Sequence, residues 1–163
     1  MKVAIVSDIH DNLVNLKKCL DVCKTERVGQ MICCGDVTNA ETLNFLSKNF
    51  KDTIHLVRGN AEIFKDKEAE EIKNIIYYGR IGNFEISGKN VGLCHEPFLF
   101  DKVLEKGKCE IVFYGHTHKP WIETKKNVRF LNPGTVGAVF QKATFSIWDI
   151  EKGQIDLKIL DLF

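Results

Sequence analysis

The sequence predicts an α/β protein of one domain, residues 1–163, in which two mixed sheets pack together with helices outside. Three observations predict it. Apolar runs alternate with helical stripes through about the first sixty residues, and short runs joined by turn residues fill the second half. A chain of 163 residues with 44% hydrophobic content supplies core for one domain but not two. Lys2 to Ser7 reads as a strand buried on both faces of a parallel sheet. Leu13, Leu16, Leu20 and Cys23 then mark one face of a helix. Gln30 to Cys34 is the second strand, ended by Gly35. Ala40, Leu43, Leu46 and Phe50 form the next helical stripe, with Asn39 as its N-cap. Thr53 to Val57 completes a βαβαβ unit and ends at Gly59.

The second half favours hairpins. Phe84 to Ser87 and Val91 to Cys94 flank Gly88-Lys89-Asn90, and a helix is expected from Phe98 to Glu105. Ile111 to Tyr114 is a buried-type strand ended by Gly115. Trp121 to Thr124 and Val128 to Leu131 flank Lys125-Lys126-Asn127, and Ala143 to Ile150 and Ile155 to Leu162 flank Glu151 to Gln154.

The composition removes several classes. With 23 Lys+Arg against 22 Asp+Glu the net charge is +1, which gives no general attraction for nucleic acid or a membrane surface. The apolar run Val3 to Val6 is too short for a signal peptide or a membrane span, so a cytoplasmic location and reduced thiols are expected. No Cys-x-x-Cys pair occurs among the six cysteines, and they read as small buried hydrophobes.

The polar residues that follow the strands point to chemistry. Asp8-Ile9-His10, Gly35-Asp36, Gly59-Asn60, His95 and Gly115-His116-Thr117-His118 each come directly after an apolar run. In open α/β sheets, ligands bind beyond the carboxyl ends of the strands. Two Asp, one Asn and four of the five His are thus delivered toward one edge. Each fragment alone is an ordinary turn or cap; the joint register is not. Imidazole, carboxylate and amide donors without thiolate suit Mn, Fe, Zn, Co or Ni. Seven donors exceed one tetrahedral ion and fit two, an arrangement suited to displacement at phosphorus. His55 lies inside a strand and reads as structural.

These motifs resemble the calcineurin-like metallophosphoesterase superfamily, whose pattern runs D-x-H, G-D, G-N-[H] and an acid, H, then G-H-x-H. The match spans residues 8 to 118. The short length and Asn132-Pro133-Gly134-Thr135 resemble the small prokaryotic phosphodiesterase branch, which is related in fold to a eukaryotic retromer subunit. The resemblance implies a four-layer β-sandwich flanked by helices. It implies two divalent ions (Mn, Ni, Fe or Zn), with Asp8, His10 and His118 on the first, Asn60, His95 and His116 on the second, and Asp36 bridging. A hydroxide between them would attack phosphorus, making Asp36, Asn60 and His95 the expected catalytic group. The expected function is a metal-dependent phosphodiesterase. The alternatives are a metal-binding scaffold with little catalysis, which works by binding protein partners, and a phosphomonoesterase. The expected partner is a phosphodiester substrate, with nucleic acid only as a substrate and no membrane; self-association of relatives suggests a homo-oligomer.

Departures from the pattern matter. Ala61 stands where many relatives carry a His that assists the leaving group, and Glu62 keeps the acidic position without that His. Glu96-Pro97 follows His95 where Gly-His is usual, and Asp11 replaces a common Gly. Asn12 reads as a cap with an amide able to reach phosphate, and Arg58 and Lys119 as solvated charges beside the motifs. Asn132-Pro133-Gly134 reads as a rigid turn, or, from its placement in the family it resembles, as a wall of the site, and Phe98-Leu99-Phe100 as core or pocket wall.

Overall fold

The computed structural model describes residues 1–163. Strand β1 (Lys2–Val6) alternates perfectly between two interiors. Ala4 and Val6 enter the core shared with the helices, whereas Val3 and Ile5 enter the core between the sheets. That two-sided burial is why the run is continuously apolar. Helix α1 (Leu13–Thr25) buries Leu16, Cys19, Leu20 and Cys23, and Asn12 caps it by accepting from the Asn15 N–H at 3.0 Å. Strand β2 (Gln30–Cys33) and helix α2 (Ala40–Asn49) follow, with Asn39 accepting from the Thr42 N–H. Strand β3 (Ile54–Leu56) pairs parallel to β2.

Two elements carry no sequence signal long enough to read. Helix α3 (Asp66–Glu70) has five residues and strand β4 (Ile75–Tyr77) has three. Neither length shows a period. The remaining strands are β5 (Ile81–Ile86), β6 (Lys89–Cys94), β7 (Ile111–Phe113), β8 (Trp121–Lys125), β9 (Val128–Asn132), β10 (Thr144–Asp149) and β11 (Gln154–Ile159). Helix α4 (Phe100–Lys106) follows a 3-10 turn at Pro97–Leu99.

One sheet has the order β11-β10-β1-β2-β3-β4 and the other β5-β6-β7-β9-β8. Both mix parallel and antiparallel pairs. The layers run α1, α2 and α3, then the six-stranded sheet, then the five-stranded sheet, then α4, as the expected sandwich of mixed sheets requires. Phe113 and Trp148 meet between the sheets with ring centroids 5.6 Å apart.

Turn chemistry shortened two expected connections. Ser87-Gly88 and Lys126-Asn127 are two-residue turns, with every residue at positive φ. That geometry matches the twist of the flanking strands, so residues assigned to the turns join the ladders instead. The last strand also ends early, because Leu160 turns into the core and donates its N–H to Ala143 O.

His55 sits between the sheets, its ring stacked on Phe84 at 4.1 Å. It meets Tyr78 Oη at 2.8 Å and Gln30 Oε1 at 3.0 Å, a pairing that a neutral imidazole satisfies. Burial pushes its pKa down to about 4. A depressed imidazole destabilises the fold as pH falls from its unfolded value near 6.5 toward 4, because the unfolded chain takes up the proton first. Denaturant melts at pH 7.5 and pH 5 are therefore expected to lose stability in the wild type, and to lose less in His55→Phe.

Candidate metal centre

Five parallel or inward strands end at one edge of the sandwich. After β1 come Asp8 and His10, after β2 Asp36, after β3 Asn60, after β6 His95, and after β7 His116 and His118. All seven side chains predicted from the sequence converge there. Asp8 Oδ1 lies 3.0 Å from His118 Nε2, 3.6 Å from His10 Nε2 and 4.0 Å from His95 Nε2. Asp36 Oδ2 lies 3.2 Å from His95 Nε2 and 3.7 Å from His10 Nε2, so it faces both halves of the cluster. Asn60 Oδ1 lies 3.1 Å from His95 Nε2 and 2.8 Å from His116 Nδ1. Asp8 and His95 are fully buried, whereas Asn60 and His116 face solvent.

Each carboxylate is divided between two tasks. Asp8 Oδ2 accepts from Ser7 Oγ at 2.5 Å and from the His116 N–H at 3.1 Å. Asp8 Oδ1, buried, has no hydrogen-bond partner. Asp36 Oδ1 accepts from the Ala61 N–H at 2.8 Å, leaving Oδ2 turned toward the imidazoles. The histidines are fixed in the same way. His95 donates Nδ1–H to Cys34 O at 2.7 Å, and His118 donates Nδ1–H to Val139 O at 3.0 Å. In the neutral ring this leaves Nε2 as a lone pair aimed at carboxylate oxygen. Such an arrangement repels itself unless positive charge lies between the atoms.

The electrostatics agree. Burial alone would raise the Asp8 pKa, but its contacts with His10 and His118 and the charge of His95 hold it well below the usual carboxylate range. Burial lowers His95, yet Asp36 and the charge of Asp8 outweigh it and hold the imidazole up at about 9. Contact with Asp8, opposed by burial, raises His118. Asp8, His10 and His118 form one group able to hold a cation, and Asp8, Asp36 and His95 form another. An orphaned buried oxygen and inward imidazole nitrogens fit divalent cations.

The backbone is bent to this purpose. Asp8, His10, Asp36, His116 and His118 all lie at positive φ, between 46° and 68°. Five residues of one cluster in the left-handed region mark a site where the surroundings over-determine the chain. Close approach at the strand ends depends on glycine. A Cβ on Gly115 would overlap Ser7 Oγ and lie 2.7 Å from Asp8 Oδ2. A Cβ on Gly59 would overlap Asp36 Oδ1.

Two supporting residues act through hydrogen bonds that the sequence does not display. Asn132 donates from Nδ2 to Gly115 O at 2.7 Å and Thr117 Oγ1 at 3.0 Å, so the Asn-Pro-Gly turn clamps the histidine loop. Thr135 Oγ1 donates to Asp8 O. Other neighbours prove structural. Asp11 Oδ1 accepts from the Asn39 N–H and Thr42 Oγ1, tying the first loop to α2. Asn12 spends its amide on Gly137 O rather than holding it ready for an anion. Arg58 pairs with Asp66 at 2.6 Å and donates to Phe64 O and Glu62 O. Glu96 turns to Arg80 at 2.6 Å and is not among the grouped donors. Glu62 Oε1 accepts from the Val37 N–H, and burial with the nearby Asp36 charge pushes its pKa up to about 7. The six cysteines are buried free thiols, and burial pushes Cys33 up to about 12.

Residues 1–153 match the family model for the calcineurin-like phosphoesterase superfamily domain. The chain belongs to that superfamily. Phosphodiesterase MJ0936 of Methanocaldococcus jannaschii is 30% identical over 161 residues, covering 93% of this chain and 95% of its own. The solved structure of an archaeal phosphodiesterase superposes with a TM-score of 0.87 at 27% identity, covering 98% of this chain and 99% of that one. Vps29 from Entamoeba histolytica, solved with zinc, shares the fold with a TM-score of 0.70 at 17% identity, covering 97% of each chain. Family and homologues together support phosphoesterase activity, and the family implies divalent metal ions. No helix is long and apolar enough to cross a membrane.

Asn132→Ala should leave the histidine loop unclamped and weaken cation binding by about 10–100-fold, measured by calorimetry on metal-free protein. Gly115→Ala should cost about 1–3 kcal/mol of stability by overpacking and weaken cation binding as well.

Proposed function

We propose that residues 1–163 form a single-domain, divalent-cation-dependent phosphodiesterase with a dinuclear centre. The observation that carries the reading is Asp8 Oδ1, a buried carboxylate oxygen without a hydrogen-bond partner, set beside Nε2 of His95 and His118, whose Nδ1 atoms are already committed. Asp8, His10 and His118 would hold one cation, and Asn60, His95 and His116 the other. Asp36, facing both halves through Oδ2, would serve both. When bound, the two ions supply a nucleophilic water of lowered pKa and neutralise charge on the phosphoryl oxygens.

The chain's own residues set geometry and access. Cys34 O and Val139 O fix the ring orientation of His95 and His118, and Ala61 N–H fixes the rotation of Asp36. Burial of Asp8 and His95 keeps water from the floor, while the exposed Asn60 and His116 leave the outer side open to a substrate. Ala61 offers no proton to a departing alkoxide. Glu62 commits Oε1 to the Val37 N–H, while its Oε2 is buried without a partner. The same Ala61 favours the second reading, a cation-binding scaffold with little turnover.

Metal-free protein is expected to be inactive on bis-p-nitrophenyl phosphate and to gain activity with Mn²⁺, Ni²⁺ or Zn²⁺. Asp36→Asn should then cost on the order of 10²–10³-fold. Turnover without metal, or turnover undiminished in Asp36→Asn, rejects the two-cation reading; stoichiometric metal without turnover favours the scaffold. Lower activity on p-nitrophenyl phosphate than on the diester is expected. A p-nitrophenyl diester should also outrun a simple alkyl diester by about 10²–10⁴-fold beyond the solution difference, since no positioned acid assists a poor leaving group.

A further inference from the structure

The two sheets are sealed against each other at their centres and open along one side. Strand β8 ends the five-stranded sheet and β11 ends the six-stranded one. Side chains alternate along a strand, and the register fixes which of them point between the sheets. On β9 Leu131 enters the inter-sheet core, so Arg129 shares that face, and opposite them on β8 stand Ile122 and Thr124. On β11 Ile155 packs against the same core opposite Trp148, and Leu157 follows on that face opposite Ser146. Inward residues of interior strands, such as Val3, Ile5 and Leu93, are fully buried, whereas Ile122 is 54% and Leu157 47% exposed. Between them lies a slot of about 340 Å³, lined chiefly by Trp121, Ile122, Leu131, Ile155 and Leu157.

Both walls of the slot also carry unpaired backbone. Each end strand turns one row of N–H and C=O groups outward. β8 is exposed along nearly all its length, contains no proline and keeps an unbroken register with β9. Its inward positions, Ile122 and Thr124, bring no charge against an incoming strand. An added strand would pair the outward row and send every second side chain into the slot. A small apolar molecule would fill the slot and leave that row to water. Charge then selects among strands. Glu123 is spent on Lys125 at 2.9 Å, which leaves Lys119, Lys126 and Arg129, on and beside the same hairpin, without a carboxylate. Lys119 Nζ instead lies 5.6 Å from the Trp121 ring. A second copy pairing through β8 would set these cations against their own images. A segment with acidic residues between its apolar ones complements them.

We propose that the slot between β8 and β11 is a docking site for an extended acidic segment of a partner protein, apolar at every second residue, which adds to β8 as a further strand. The assignment is independent of the phosphodiesterase reading, since none of the seven donors of the metal centre lines the slot.

The probe is a dye-labelled peptide alternating valine and glutamate, titrated into the full chain and followed by fluorescence anisotropy. It should bind, and an unlabelled copy should shift the emission of Trp121 to the blue, Trp148 being already buried. A valine–lysine peptide of the same length should bind about tenfold more weakly, as should the acidic peptide N-methylated at alternate residues on its pairing edge. Ile122→Glu, at a half-exposed position, should cost about tenfold. Arg129→Gln should cost about threefold and lessen the weakening caused by added salt. The N-methylated peptide needs no variant and decides the matter even if Ile122→Glu fails to fold. No binding of the acidic peptide, equal binding of the acidic and basic peptides, or undiminished binding of the N-methylated one overturns the proposal. So does a dimer in sedimentation that Ile122→Glu dissociates, because the slot then belongs to a second copy.

Discussion

Two carboxylates withdrawn from water govern the architecture around them. Asp8 and Asp36 each surrender one oxygen to protein donors and direct the other at imidazole nitrogen. Buried charge is tolerated where it is hydrogen-bonded and matched by opposite charge. That requirement explains the side chains and carbonyls assembled nearby: Ser7 and the His116 N–H on Asp8, the Ala61 N–H on Asp36, and Cys34 O and Val139 O orienting the histidines. Glycine at 59 and 115 follows from the same need, because the carboxylates sit where any Cβ would intrude.

The sandwich supplies rigidity at the right place. β1 is buried on both faces from Val3 on and flanked by β10 and β2, and it leads directly to Asp8. The parallel run β1-β2-β3 sets three loops side by side, and β6-β7 sets two more across the inter-sheet core. Alternating strand burial therefore aligns ends as well as faces. Ala61 is a departure beside the exposed Asn60, and the buried Glu96 is another beside His95, while Asp8, Asp36 and His95 themselves retain the family pattern.

Much of this was legible in the sequence because it rests on local signals. The apolar run before Asp8, the stripe Leu16, Leu20 and Cys23, and the caps Asn12 and Asn39 report burial and hydrogen bonding within a few residues. The seven polar residues were legible by their register with strand ends. What escaped depends on contacts distant in sequence or on backbone atoms. Cys34 O and Val139 O have no side-chain identity to read, and Asn132 looks like a turn residue until its amide is seen on the histidine loop. Short α3 and β4 exist through tertiary packing, with Ala69 and Ile75 in the core, and they fall below the length at which a period appears. The left-handed φ values at Asp8, Asp36 and the histidines were unreadable for a related reason. Asp, Asn and His tolerate that region, so the sequence shows none of the glycines that usually announce it.

The donors come from loops spread between residues 8 and 118, and the segment bracing them reaches Val139. Nothing local preassembles them: His10 meets His118 across 108 intervening steps of chain. Each such contact meets the entropy of closing a long loop. Because the donors follow strands of both sheets, a site of this geometry is complete only when the two sheets are docked. A cation held there draws the population by linkage toward the native state, in which alone the two sheets' donors meet.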